Sequence, residues 1–109
     1  MKTLLSSLTL CALASAAQAA PDYATVQPLL SKNACLACHA VDHKMVGPGY
    51  QDVAKKYQGQ KDASAYLSQK IKGGSMGVWG QVPMPPNANV SASDLKTIVD
   101  WLVAGAPAK

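Results

Sequence analysis

The order of apolar and polar residues divides the chain into helical stretches separated by loops. Tyr50, Val53, Ala54 and Tyr57 recur at i, i+3, i+4 and i+7, the repeat of one helix face, and predict a short amphipathic helix after the turn Gly47-Pro48-Gly49. Leu95, Ile98, Val99, Leu102 and Val103 form a second apolar stripe. Ser91-x-x-Asp94 in front of it is a variant of the capping box, and Gly105 and Pro107 stop it. Between these two, Asp62 is placed to cap a helix that runs to about Lys72 with Ala63, Leu67 and Ile71 on one face, before Gly73-Gly74 ends it. A first helix is expected from Pro28 to about Cys38, since proline is tolerated in a first turn and Leu29, Leu30, Ala34 and Ala37 follow it. That helix would deliver Cys35, Cys38 and His39. The pattern contains no βαβ unit, repeat or interdomain linker, so the fold class is all-α with about four helices around one core.

Residues 73–90 break the pattern. Gly73, Gly74, Gly77, Gly80, Pro83, Pro85 and Pro86 predict an irregular loop, long enough to wrap a ligand. The opening of the chain also differs from the rest. Lys2 gives a positive n-region, Leu4 to Ala14 an apolar run too short to span a bilayer, and Ala17-Gln18-Ala19 a small-x-small cleavage site. The reading is an export signal over residues 1–19, cut before Ala20, which leaves one domain at 20–109, without a membrane anchor and in the periplasm. Cys11 falls in the discarded segment.

Composition sharpens this picture. Every basic residue is lysine, every acid is aspartate, and Arg, Glu and Phe are absent. Once Lys2 is removed, nine lysines face six aspartates, a mild positive excess suited to steering toward an acidic protein surface rather than to gripping a polyanion. The absence of arginine speaks against nucleic-acid recognition. With no Phe, two Trp and four Tyr, a domain this small lacks the aromatic bulk for a self-sufficient core, and a cofactor is expected to complete it.

The cysteines say which cofactor. Cys35-Leu36-Ala37-Cys38-His39 is the C-x-x-C-H arrangement of c-type haem attachment: two thiols three residues apart meet the two vinyl groups of one haem, and the next residue offers its imidazole to the iron. No second such motif occurs, so one covalent haem c is expected. The other axial position calls for a soft or imidazole donor, and Met45, Met76, Met84 and His43 are the candidates. Met84 is preferred because Pro83, Pro85 and Pro86 restrict its backbone and hold a thioether at low entropic cost. Met76 is the reserve; Met45 reads as packing and His43, between Asp42 and Lys44, as a solvated surface residue. Two other functions compete: a thiol oxidoreductase using free Cys35 and Cys38, and a haem sensor or peroxidase whose sixth position opens.

These residues resemble the small class I bacterial cytochromes c, in particular the c-551/c-552/c8 group. The resemblance is carried by Cys35-Leu36-Ala37-Cys38-His39-Ala40, Lys44-Met45-Val46-Gly47-Pro48, Gly73-Gly74-Ser75-Met76-Gly77-Val78-Trp79-Gly80 and Pro83-Met84-Pro85-Pro86-Asn87. It implies the class I cytochrome c fold, with His39 as proximal and Met84 as distal ligand. It further implies that the Pro48 carbonyl accepts the other imidazole N–H of His39, that the Trp79 indole N–H bonds a haem propionate, and that Asn87 sits near the Met84 sulfur. Lys70 stands where such relatives often carry an arginine beside the propionates, and can supply charge but not a planar fork. The function implied is a soluble, monomeric electron carrier, not an enzyme. It would cycle Fe(II)/Fe(III) between respiratory complexes, with a quinol-oxidising complex upstream and a nitrite reductase or terminal oxidase downstream.

Overall fold

The computed structural model describes residues 19–109, so the expected export segment, including Cys11, lies almost wholly outside the described residues. Four α-helices follow in order: α1 (Tyr23–Lys32), α2 (Tyr50–Tyr57), α3 (Ala63–Gly73) and α4 (Ala92–Val103). No strand occurs among the described residues; the only sheet-like pairing is an isolated antiparallel bridge between Ser75 and Met84. The all-α expectation therefore stands, and α4 is the hub, packing on α1, α2 and α3.

α1 corrects the sequence reading at both ends. It starts at Tyr23 rather than Pro28, because the Asp22 side chain accepts from the Thr25 N–H at 2.9 Å and caps the first turn. Pro28 lies inside the helix, where it forgoes one backbone donor, and the fully buried pair Val26 and Leu30, four residues apart, outweighs that loss. The helix stops at Lys32, with Asn33 donating from its backbone and its side chain to the Leu29 carbonyl. Ala34 then takes a left-handed conformation, φ 58°, and Cys35–Ala37 form a separate 3-10 turn. The cysteine motif is thus carried by its own turn and not by α1.

The other helices follow their patterns closely. α2 has the expected bounds and buries Tyr50, Val53 and Tyr57. α4 begins where Ser91 Oγ accepts from the Asp94 N–H at 3.0 Å, and buries Ile98, Val99, Trp101 and Leu102. Asp62 does precede α3, but its carboxylate caps no N–H, a correction to its expected role. Beyond α4 the chain folds back. The Trp101 indole N–H donates to the Pro107 carbonyl at 3.0 Å, and Trp101 is 0 % exposed. This end-piece buries Ala106 in the core and is tied to α2 by Gln51 Nε2, which donates to the Ala106 carbonyl at 3.3 Å, while the loops at 33–48 and 74–90 connect the helices elsewhere.

Candidate functional site

Those two loops and the inward faces of α2, α3 and α4 line one cleft that opens to solvent. Its walls are mainly apolar, from Leu30, Val53, Leu67, Ile71, Ile98 and Leu102. The same cleft is lined by Cys35, Cys38, His39 and Met84, together with Pro48, Lys70, Trp79 and Asn87. The residues assigned a role at the site therefore border a single space, whereas the disfavoured candidates Met45 and His43 do not line it. A small domain that leaves an apolar cleft between its helices has the shape of a cofactor-built core.

The 33–48 loop presents the donors. After the 3-10 turn, the backbone N–H groups of Cys38 and His39 both donate to the Cys35 carbonyl, at 3.2 and 3.1 Å. Cys35 and Cys38 are both free thiols. Burial pushes the Cys35 thiol above its ordinary value, the opposite of the lowered pKa that activates a redox thiol. His39 Nδ1 lies 2.7 Å from the Pro48 carbonyl oxygen. Since a carbonyl only accepts, the proton sits on Nδ1, and the Nε2 lone pair is left for a metal. The 47–49 turn read from sequence as a simple bend has a further use here: a Cβ added at Gly47 would come within 2.6 Å of His39 Cε1, so only glycine lets the loop close on the imidazole.

The 74–90 loop holds Met84. Ser75 and Met84 exchange backbone hydrogen bonds at 3.0 and 2.8 Å. Gly74, φ +83°, makes the approach possible, since a Cβ there would lie 2.7 Å from the Met84 carbonyl oxygen. Asn87 fastens the far side: its backbone and side-chain N–H groups both donate to the Ile71 carbonyl at 3.1 Å, and its amide also reaches Pro85 O at 3.5 Å. Lys72 Nζ adds a bond to Val90 O at 3.0 Å. Met76, by contrast, is 73 % exposed, and Met45 is also exposed. His43 is a surface residue paired with Asp42 at 2.8 Å.

At the mouth, Trp79 is 39 % exposed, and Lys56 Nζ sits 5.5 Å from its ring centroid. Lys70 Nζ lies 5.4 Å from the Tyr66 ring. Tyr57 and Tyr66 pair across α2 and α3, with ring centroids 5.0 Å and hydroxyls 3.5 Å apart. Burial and the Tyr66 hydroxyl push the Tyr57 phenol up to about 12. The helix pattern marked Tyr57 as core and gave no role to Tyr66 in the cleft. It also treated Tyr50 as core alone, whereas Tyr50 stacks on His39, with centroids 4.9 Å apart and planes 23° from parallel.

The residues fit a covalently attached haem. Two free thiols, a histidine with Nε2 available and a braced thioether all line one apolar cleft. The comparisons agree with that chemistry. A model of the cytochrome c family matches residues 23–105. The chain is 57 % identical over 75 residues to a cytochrome c-552 of Nitrosomonas europaea, covering 69 % of this chain and 73 % of that protein. It is 54 % identical over 76 residues to a cytochrome c-551 of Pseudomonas aeruginosa, covering 70 % and 72 %. Among solved structures, the crystal structure of wild-type Nitrosomonas europaea cytochrome c552 superposes with a TM-score of 0.69 at 54 % identity, over 72 % of this chain and 98 % of that one. The class 1 cytochrome MtoD of Sideroxydans lithotrophicus ES-1 superposes at 0.61 with 31 % identity, over 72 % and 90 %.

Proposed function

The chain belongs to the cytochrome c family, in its class I c-551/c-552 group with one covalent haem c, and we propose that it is an exported monohaem electron carrier of the periplasm. The observation that carries this reading is the convergence of Cys35, Cys38, His39 and Met84 on one cleft whose other walls are apolar. In this proposal Cys35 and Cys38 would hold the haem through thioethers, and His39 Nε2 and the Met84 sulfur would be the two protein donors to its iron. The haem supplies a one-electron couple, Fe(II)/Fe(III), and methionine ligation and burial set its potential.

The chain's own work is to keep both donors in place. Pro48 fixes the tautomer of His39. The Ser75–Met84 bridge and the Asn87 clamp hold the methionine loop on the end of α3. A site braced from both sides changes little between redox states, which favours electron transfer over binding of an outside ligand. In this proposal Trp79 and Lys70, which both line the cleft, would meet the propionates, Trp79 by its indole N–H and Lys70 by charge alone. The protein acts as a carrier and not an enzyme. A quinol-oxidising complex is the proposed donor, a nitrite reductase or terminal oxidase the proposed acceptor, and the chain is cleaved before Ala20. No helix among the described residues is long and apolar enough to cross a membrane.

Acid–acetone extraction tests the attachment: the colour is expected to stay with the protein, and colour that partitions into the solvent from intact chain refutes it. A reduced-minus-oxidised spectrum of the purified protein then distinguishes a low-spin carrier from an open-site haem protein.

A further inference from the structure

The hydrogen bond from His39 Nδ1 to the Pro48 carbonyl is a contact at one point of the ring. Alone it sets the tautomer and leaves the imidazole free to rock about the N–H···O line. The Tyr50 ring, 4.9 Å away and 23° from parallel, removes that freedom by lying flat against the imidazole. Tyr50 is suited to the task. It is 6 % exposed, and its backbone N–H donates to the carbonyl of Ala40, the residue after His39, at 2.9 Å. From behind, the Trp101 ring meets it edge-on at 5.4 Å and 73°. Trp101 is fully buried and anchored to Pro107. Two aromatic contacts thus connect the imidazole plane to α4.

We propose that Tyr50 is a positioning residue for the electron-transfer site, whose ring face, backed by Trp101, fixes the plane of the His39 imidazole. This rests on His39 being the axial ligand, as set out above. The flat ring is the working feature, so phenylalanine replaces tyrosine without loss, and an aliphatic side chain of similar bulk does not. The plane of an axial imidazole orients the in-plane magnetic axes of a low-spin ferric haem, and the haem methyl proton resonances report it.

The test is proton NMR of the ferric holoprotein, comparing the order and spread of the haem methyl resonances in the unmutated protein with Tyr50→Phe, Tyr50→Leu and Tyr50→Met. Circular dichroism and the sulfur-to-iron charge-transfer band monitor fold and Met84 ligation. Tyr50→Phe is expected to keep the native order and spread, whereas the leucine and methionine variants reorder or compress them with the charge-transfer band retained. A folded aliphatic variant with the native methyl pattern overturns the proposal, as does a Tyr50→Phe variant that behaves like the aliphatic ones. Should neither aliphatic variant fold, nuclear Overhauser contacts between the Tyr50 and His39 rings of the unmutated ferrous protein decide it: their presence supports the stack and their absence overturns it. Failure of the carrier reading itself is distinguishable, since the unmutated protein would then lack a low-spin ferric spectrum before any variant is made.

Discussion

Gly74 and Met84 approach so closely that a single methyl group at position 74 would lie 2.7 Å from the Met84 carbonyl oxygen. The glycine that ends α3 therefore also determines how near the methionine loop can come to the helix bundle. Its φ of +83° adds a second reason for glycine. Gly74→Ala is expected to destabilise the protein by about 1–3 kcal/mol through backbone strain and displaced Met84 backbone. It should also weaken the sulfur-to-iron charge-transfer band. Denaturant titration and the visible spectrum check the two effects, and an alanine variant with native stability and an intact band refutes the coupling.

The reverse situation occurs at Ala34, which holds a left-handed conformation, φ 58°, where the chain leaves α1 and enters the cysteine turn. An L-residue with a side chain pays for that conformation, and glycine does not. Ala34→Gly is expected to raise stability by about 1 kcal/mol, net of the greater entropy glycine gives the unfolded chain. Denaturant unfolding of the two holoproteins side by side measures it; a loss of stability would show that the Ala34 side chain contributes packing that outweighs the strain.

The positive charge is distributed unevenly. Lys32 and Lys96 are paired with Asp94 and Asp100, at 3.4 and 2.6 Å. Lys44, Lys55 and Lys56 instead border a shallow cleft with Pro48, Asp52 and Trp79 beside the mouth of the main cleft. Lysines there are available to a partner. Lys55→Glu and Lys56→Glu should slow second-order electron transfer with an acidic redox protein, and should flatten its fall with ionic strength, more than Lys96→Glu does. Stopped-flow rates across a salt series test this. Equal effects at all three positions would mean that net charge alone steers the encounter.

Alkaline pH should expose the Tyr57–Tyr66 pair. Burial and the Tyr66 hydroxyl raise the Tyr57 phenol from 10.0 to about 12 in the folded protein. A folded pKa above the unfolded value means that the neutral phenol stabilises the native state fully below pH 10, and that this contribution is lost as pH rises toward 12. Unfolding midpoints are expected to fall over that window, with a shallower fall in Tyr57→Phe. Parallel slopes for the two proteins would assign the alkaline loss to other groups, lysines first among them.

Much of this fold can be read from the order of residues because its helices are local patterns. α2 has the bounds its i, i+3, i+4, i+7 repeat implies, and α4 starts at the Ser91 cap. α1 begins before Pro28, which resembles a start signal, because the effective signals are Asp22, six residues earlier, and the buried pair Val26 and Leu30. The cleft residues named from the sequence all border one space, since the cysteine–histidine spacing and the proline-framed methionine are short-range signatures. What they could not convey are contacts between segments. The Tyr50 ring against His39, Gly74 against Met84 and the Asn87 bonds to Ile71 each depend on how two stretches meet after folding. A periodicity can mark Tyr50 as buried, but not against which neighbour.

The choice between Met84 and Met76 as distal donor yields the sharpest test of the site. Both residues line the cleft, yet their anchoring differs. Met84 is locked by its exchange of backbone bonds with Ser75 and framed by Pro83 and Pro85, whereas Met76 is 73 % exposed and flanked by Gly77, φ +85°. A rigid backbone keeps a thioether at the metal without a fresh entropic cost in each redox state. Met84→Ala is therefore expected to abolish the charge-transfer band and lower the potential, because a ligand that favours ferrous iron has gone. The ferrous variant should then bind carbon monoxide readily, and the ferric variant azide, while the unmutated protein resists both. Met76→Ala should leave spectrum, potential and ligand exclusion unchanged. The opposite result, with the band surviving Met84→Ala and lost in Met76→Ala, would reverse the assignment. Ready ligand binding by the unmutated protein would instead favour a sensor or peroxidase, with the sixth position open from the start.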